Sequence, residues 1–278
     1  MLQLVDYTDY NKTIEMAREL DGSYDEEVVF HCYWHGKLNN LHLQSIMSCY
    51  YFNVRNNKHK IVLWVENSVP SDVDSEVRKY CEVREFSLRS EVEKTGLVSE
   101  GFYYNRALSF YSDVVRYMIL YNYGGCWFDL DCFFLRSFDP LFSSHGESIC
   151  VYQWEQQNYP NGAIYVSLEP RSPKMAEVIR FIISRRRGWG FREARLTYDL
   201  PLELLVLPCS WFDPGWLVDD PHGGCEGFFC HTSVKHDFGS FHEGAFCYHW
   251  HNKWSRTPDP DSPMSQLAAI IANELRNN

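Results

Sequence analysis

Two carboxylates one residue apart, Asp129 and Asp131, are the part of this sequence best suited to chemistry. On an extended segment successive side chains alternate faces, so an Asp-x-Asp pair presents both acids the same way. Hard carboxylate oxygens converging from one strand end suit Mg2+ or Mn2+, above all where substrate phosphates complete the coordination. Asp-x-Asp alone is common on surface turns. Here it ends a longer pattern, residues 112–131, SDVVRYMILYNYGGCWFDLD. A second cluster of candidate ligands lies at residues 249–254, HWHNKW.

The elements that must position the acids follow from spacing. Ala107, Leu108, Tyr111, Val114, Val115, Met118 and Tyr121 recur every three or four residues, the apolar stripe of a helix packed on a sheet. Asp113 and Arg116, three apart, share a second face of that helix. Gly124-Gly125 can take the left-handed conformation that closes it. The run CWFDLDCFFL then has the composition of a buried strand. Further strands are predicted at 28–33, 60–65, 83–86, 148–154 and 163–167, and helices at 41–53, 71–80 and 174–186. Strands alternating with helices predict an α/β fold with a mainly parallel central sheet. Ligands of such sheets bind outside the carboxyl ends of the strands, where both Trp34 and the acid pair fall.

Composition narrows the function. Apolar residues make up 45% of the 278 and aromatics 16%, enough for a substantial core and for stacking platforms. A net charge of −11 argues against nucleic acid or an anionic membrane as the main partner. The first residues, MLQLVDYTDYNK, lack the cationic start and apolar core of a signal peptide. Nothing approaches the ~20 apolar residues that span a bilayer. The expectation is a soluble, cytoplasmic enzyme without a membrane anchor. Of the ten cysteines most sit in apolar or aromatic segments, and no Cys-x-x-Cys occurs, which predicts reduced, buried thiols.

The pattern SDxxRYxxLYxYGGxxxDLD resembles the signature of DXD-containing glycosyltransferases with the GT-A fold, a Rossmann-like nucleotide-diphospho-sugar transferase fold. Initiating mannosyltransferases, α-1,4-galactosyltransferases and the clostridial glucosylating toxins are relatives. Ser112, Asp113, Arg116, Tyr117, Leu120, Gly124, Gly125, Asp129 and Asp131 carry the match. Weaker likenesses lie in the first strand (VVFHCYWHGK), in Asn161-Gly162-Ala163-Ile164 with Pro170 and Pro173, and in the spacing of His249 and Trp254. Together they run over residues 28–254. The chain is also similar to glycosyltransferases of large algal viruses, a xylosyltransferase among them.

That resemblance implies one domain over 1–278, with 28–135 binding the nucleotide sugar and 136–278 forming the acceptor side and a C-terminal metal or phosphate element. Asp131 would ligate Mn2+ or Mg2+ directly while Asp129 meets the ribose or sugar and reaches the metal through water, with the two roles exchangeable. His249, ahead of His251, would be a third metal ligand. Asp113 and Arg116 would contact the sugar nucleotide, Trp34 would stack on uracil, and Trp254 would donate to the β-phosphate. The donor is expected to be UDP-linked, UDP-xylose in particular, with GDP-mannose the runner-up and a glycan or glycoprotein as acceptor. Where relatives carry Thr-Gly-Pro this chain has Thr197-Tyr198-Asp199, which brings a carboxylate into the sugar pocket. An inverting enzyme needs a carboxylate base near the acceptor hydroxyl. Asp199 is the first choice, with Glu155 and Asp213 also in loop positions after strands. Two other readings compete with transfer: a metal-dependent phosphate-ester hydrolase or nucleotidyltransferase, and a carbohydrate-binding module.

Overall fold

The structure, a computed structural model, describes residues 9–97, 108–154, 160–185, 204–217 and 224–277. Its strands in chain order are β1 (Val29–Lys37), β2 (Lys60–Val69), β3 (Glu82–Glu85), β4 (Gly125–Phe128), β5 (Cys132–Phe134), β6 (Ile149–Gln153), β7 (Pro160–Ser167), β8 (Leu204–Pro208) and β9 (Cys247–His249). The helices are α1 (Tyr10–Glu19), α2 (Asn40–Cys49), α3 (Asp74–Val77), α4 (Leu88–Thr95), α5 (Leu108–Tyr123), α6 (Asp139–His145), α7 (Pro173–Arg185), α8 (Gly224–Gly227) and α9 (Pro263–Arg276).

Among the described residues seven strands form the central sheet, in the order β3-β2-β1-β4-β7-β6-β8. The pairings β3·β2, β2·β1, β1·β4 and β6·β8 are parallel, and β7 runs antiparallel to both its neighbours. The sheet is therefore α/β and mainly parallel, as the alternation of strands and helices predicts. Both faces are covered, so its strands read as near-continuous apolar runs. Phe30, Cys32, Cys126, Phe128, Cys150 and Tyr152 enter the core on one side with α2 and α9. Tyr33, Trp127, Val151 and Tyr165 enter the other, against α5 and α7.

The junction between α5 and β4 depends on its two glycines. Gly124 has φ +67°, and a Cβ there would lie 2.2 Å from the Leu168 carbonyl oxygen. Gly125 has φ +106°, and a Cβ there would lie 2.3 Å from the Val29 carbonyl oxygen. Left-handed backbone and close strand approach both demand glycine. His31 fixes this junction from β1. The indole N–H of Trp64 donates to its Nδ1 at 3.1 Å, so the neutral ring carries its proton on Nε2 and donates it to the Gly124 carbonyl at 3.0 Å.

Several expectations change. The predicted buried strand CWFDLDCFFL is broken: β4 ends at Phe128, a turn closed by Cys132 N–H to the Asp129 carbonyl follows, and β5 joins a different sheet. The helix expected over 41–53 is regular only to Cys49 and continues as a π turn, Tyr50–Val54. The one expected over 71–80 is regular only over Asp74–Val77; beyond it the backbone closes in three-residue bonds, Lys79 N to Glu76 O and Tyr80 N to Val77 O. The C-terminal third is less irregular than its composition suggests. Strand β9 pairs with β5, and α9 buries Met264, Leu267 and Ile271. Seven of the ten cysteines are buried, and all ten are free thiols. Among the described residues no helix is long and apolar enough to cross a membrane.

Candidate active site

The acid pair sits in the β4–β5 turn rather than along a strand, so strand alternation does not govern it. Among the described residues the two carboxylates have different partners. Asp129 accepts from Arg116 Nη2 at 3.0 and 3.2 Å and from the Trp127 indole N–H at 2.7 Å. Arg116 in turn donates through Nη1 to Asp113 at 2.7 Å, and its guanidinium lies over the Trp127 ring at 5.4 Å. Burial works against the Arg116 charge, yet the Asp129 and Asp113 carboxylates hold its pKa above the ordinary arginine value. The helix pair Asp113–Arg116 is thereby an anchor for the first acid. Gly162, in β7, makes room for it: a Cβ there would meet Arg116 Nη1 at 2.1 Å.

Asp131 belongs to the C-terminal element. Cys132 pairs with His249 across β5 and β9, which brings residue 249 beside the turn despite the long separation in sequence. Asp131 Oδ2 lies 3.2 Å from His249 Nε2 and accepts from the Asn252 backbone N–H at 2.7 Å. That N–H reaches it because His251 and Asn252 both take left-handed backbone, φ 54° and 58°. Asp131 is 3% exposed. Burial would raise its pKa, but His249 and the Asn252 N–H hold it below the ordinary aspartate value. Burial would likewise lower the pKa of His249, and the Asp131 carboxylate overrides this and raises it well above the usual imidazole value.

Behind His249 stands Asp213, wholly enclosed. Its Oδ2 accepts from the Trp154 indole at 2.5 Å and the Tyr152 hydroxyl at 3.3 Å, and its Oδ1 lies 2.9 Å from His251 Nε2. His249 Nδ1 is 3.5 Å from Asp213 and 2.9 Å from the Tyr152 oxygen. Burial would raise the Asp213 pKa; the bonds with His249 and His251 bring it down to about 2. Asp213, His249 and His251 offer ligand atoms within 4.8 Å of one another.

Trp34 and Trp254 also come together, with ring centroids 4.9 Å apart. The Trp34 indole donates to the Lys37 carbonyl at 3.0 Å, and that of Trp254 to Asn252 Oδ1 at 3.3 Å. Glu155 and Asp199 lie outside the described residues. Sequence reading missed Tyr152, Trp154 and Asn252. None carries a spacing signal, because their partners are 61, 59 and 121 residues away.

Residues 44–148 match the family model of the glycosyltransferase sugar-binding region containing DXD motif. This segment is thus similar to the sugar-binding region of DXD-containing glycosyltransferases. It contains Asp113, Arg116, Asp129 and Asp131, and leaves out Trp34, Asp213, His249 and Trp254. Solved structures of low identity share the GT-A fold. The apo bifunctional glycosyltransferase WbbM superposes with TM-score 0.54 at 10% identity, over 91% of this chain and 51% of that one. GlyE of Streptococcus pneumoniae TIGR4, a glycosyltransferase, superposes with TM-score 0.53 at 12% identity, over 90% of this chain and 63% of that one. The chain thus spans less than two thirds of either protein. No curated protein matches it.

Proposed function

We propose that the protein transfers a sugar from a nucleoside-diphosphate sugar to a hydroxyl of a glycan or glycoprotein, with Mn2+ or Mg2+ held by Asp131 and His249. The observation that carries this reading is the pairing of the DXD turn with β9. Two atoms bound side by side to one such ion, each about 2.1 Å from it, sit about 3 Å apart. Asp131 Oδ2 and His249 Nε2 are 3.2 Å apart. A carboxylate oxygen with one imidazole nitrogen suits Mn2+, which accepts both ligand types. When bound, the ion offsets the negative charge that develops on the departing diphosphate.

The protein's own groups divide the remaining work. Arg116 holds Asp129 against Asp113 and Trp127, so Asp129 keeps a fixed direction for a ribose or sugar hydroxyl. Asp213 and Tyr152 occupy the Nδ1 side of His249, leaving Nε2 to face Asp131; a carboxylate behind a ligating histidine fixes its ring in this way. Asp213 is enclosed and its oxygens are engaged, so we assign it this positioning role instead of that of a base. Deprotonation of the acceptor hydroxyl, if the configuration inverts, is left to Asp199 or Glu155. Trp34 supplies an aromatic face for the base of the nucleotide, which we read as uracil, with UDP-xylose the specific donor. An ion on the other side of His249, within Asp213, His249 and His251, is the second reading, favoured by the closeness of those three groups.

A donor-hydrolysis screen tests the proposal: purified protein, Mn2+, and a panel of UDP- and GDP-sugars with nucleoside diphosphate release as readout. One donor turned over with metal, silent in EDTA and at least ~100-fold slower in Asp131→Asn, is the expected result, since the lost electrostatic stabilisation is several kcal/mol. Release of pyrophosphate or inorganic phosphate would replace transfer with hydrolase or nucleotidyltransferase chemistry. Glycan binding that survives EDTA and Asp131→Asn, with no turnover, would mean a binding module. Metal binding lost in Asp213→Ala but intact in Asp131→Asn would move the ion to the second site. The same assay on Asp199→Asn and Glu155→Gln identifies the base.

A further inference from the structure

Helix α2 starts on an unusual cap. Asn39 Oδ1 accepts from the backbone N–H groups of Leu41 at 2.9 Å and His42 at 3.3 Å. The reciprocal bond, which a Glu or Gln usually completes, is made here by histidine: the Asn39 backbone N–H donates to His42 Nδ1 at 2.8 Å. A backbone N–H can only donate, so Nδ1 is the acceptor and the neutral ring carries its proton on Nε2. Burial brings the His42 pKa down to about 4, so the ring is neutral near pH 7. His42 is 1% exposed, and its Nε2 has no hydrogen-bond partner among the described residues. A buried donor left unpaired costs stability, and native proteins rarely keep one without a reason.

The surroundings supply a reason. His42 lies in the first turn of α2, which follows β1 directly, outside the carboxyl end of a parallel strand, where ligands of such sheets bind. Its ring is stacked on Trp254 at 4.5 Å with 16° between planes, and touches Trp34 at 3.9 Å. It is therefore packed between Trp34, whose ring is proposed as the base platform, and Trp254. Trp254, only half-buried, stacks on it, and its indole donates to Asn252 at 3.3 Å.

We propose that His42 Nε2–H is a hydrogen-bond donor to a diphosphate oxygen of the bound nucleotide. This rests on the proposed function and adds a binding residue to it. A neutral N–H suits the place: it pairs with an anionic oxygen without adding a fixed positive charge that would compete with the ion beside Asp131. The nucleotide reaches Nε2 by displacing the Trp254 ring.

Two variants separate this role from the cap. In His42→Asn the side-chain oxygen replaces Nδ1 as acceptor for Asn39 and the Nε2 donor is lost; in His42→Gln an amide N–H reaches the place of Nε2. Calorimetric titration with UDP and with uridine, both with Mg2+, reads the result. The expected outcome is UDP binding at least tenfold weaker in His42→Asn, largely restored in His42→Gln, with uridine affinity equal in all three proteins. UDP binding unchanged in a folded His42→Asn overturns the inference, and so does an equal loss for uridine. Should both variants unfold, the wild-type protein with 15N-labelled histidine decides. UDP with Mg2+ shifts the His42 Nε2–H resonance downfield if the bond forms, and an unmoved resonance at saturation overturns it. Wild-type protein that binds neither UDP nor GDP overturns the proposed function, and this inference with it.

Discussion

Gly162→Ala tests whether Arg116 is the anchor of Asp129 in the proposed donor site. The added Cβ would stand 2.1 Å from Nη1 and 2.8 Å from Cζ of Arg116. Ordinary contact needs about 3.5 Å, so the guanidinium must retreat by about 1.4 Å (3.5 less 2.1). On an exposed arginine that would cost little. Arg116 is 3% exposed and held at 2.7 Å by Asp113 and at 3.0 Å by Asp129, so a retreat of that size breaks at least one pair. Breaking a buried pair by removing a partner costs about 3–5 kcal/mol; displacement keeps both charges, so the lower end, about 3 kcal/mol, applies. For a domain of this size that lowers Tm by about 6–12 °C.

The assay is calorimetric unfolding, combined with Mn2+-dependent UDP binding, on a double-mutant cycle with Arg116→Ala. If Gly162 acts through Arg116, the alanine costs about 3 kcal/mol in the wild-type background and under about 0.5 kcal/mol where the guanidinium is already gone. UDP affinity falls with the first change and not further with the second. A Gly162→Ala protein that melts within about 2 °C of wild type, or that loses the same amount in both backgrounds, refutes the reasoning.

Two further predictions concern buried groups behind the site. Asp213→Asn keeps the shape of the carboxylate but loosens the His249 ring, so Mn2+ affinity, read by titration of metal-induced thermal stabilisation, should fall ~10–100-fold while excess metal restores turnover. His31 makes stability acid-sensitive: burial lowers its folded pKa from 6.5 to about 3, so its contribution is complete above pH 6.5 and is lost as pH falls toward 3. Chemical denaturation should show a slope of about 1.4 kcal/mol per pH unit from this group, about 3 kcal/mol by pH 4, removed in His31→Asn; an unchanged slope in the variant would contradict it.

The helix, the double glycine and the acids were legible in the sequence because their causes are local. Val114, Val115 and Met118 mark the buried face of α5 by spacing, and Gly124-Gly125 marks a place where no side chain fits. The alternation of strands and helices gave the α/β sheet. What was not legible depends on contacts between distant segments. That CWFDLDCFFL breaks after Phe128 follows from β5 pairing with β9, more than a hundred residues later. The enclosure of Asp213 follows from Tyr152 and Trp154, which in the sequence look like ordinary strand aromatics. His42 hides for another reason: it takes the place that Glu or Gln holds in the usual helix cap, so pattern matching passes over it.

The two acids of the DXD turn depend on different parts of the chain, one local and one distant in sequence, and this has a consequence for how the site forms. Asp129 is secured by Arg116, Asp113 and Trp127, all within seventeen residues of sequence (113 to 129) and all on α5, β4 or the turn between β4 and β5. Asp131 is secured by His249 and Asn252, which arrive only when β9 has paired with β5. A local ion-pair cluster can form early, because short loops close at small entropic cost, whereas the β5–β9 pairing must close a loop of more than a hundred residues. The half of the site that fixes Asp129 is therefore independent of the half that fixes Asp131. Loosening β9, as by a change at Cys247 or Tyr248, should release the proposed metal ligands Asp131 and His249 and leave the Arg116 cluster standing. The core of the sheet and the Asp129 anchor would persist in a protein that can no longer hold the proposed ion.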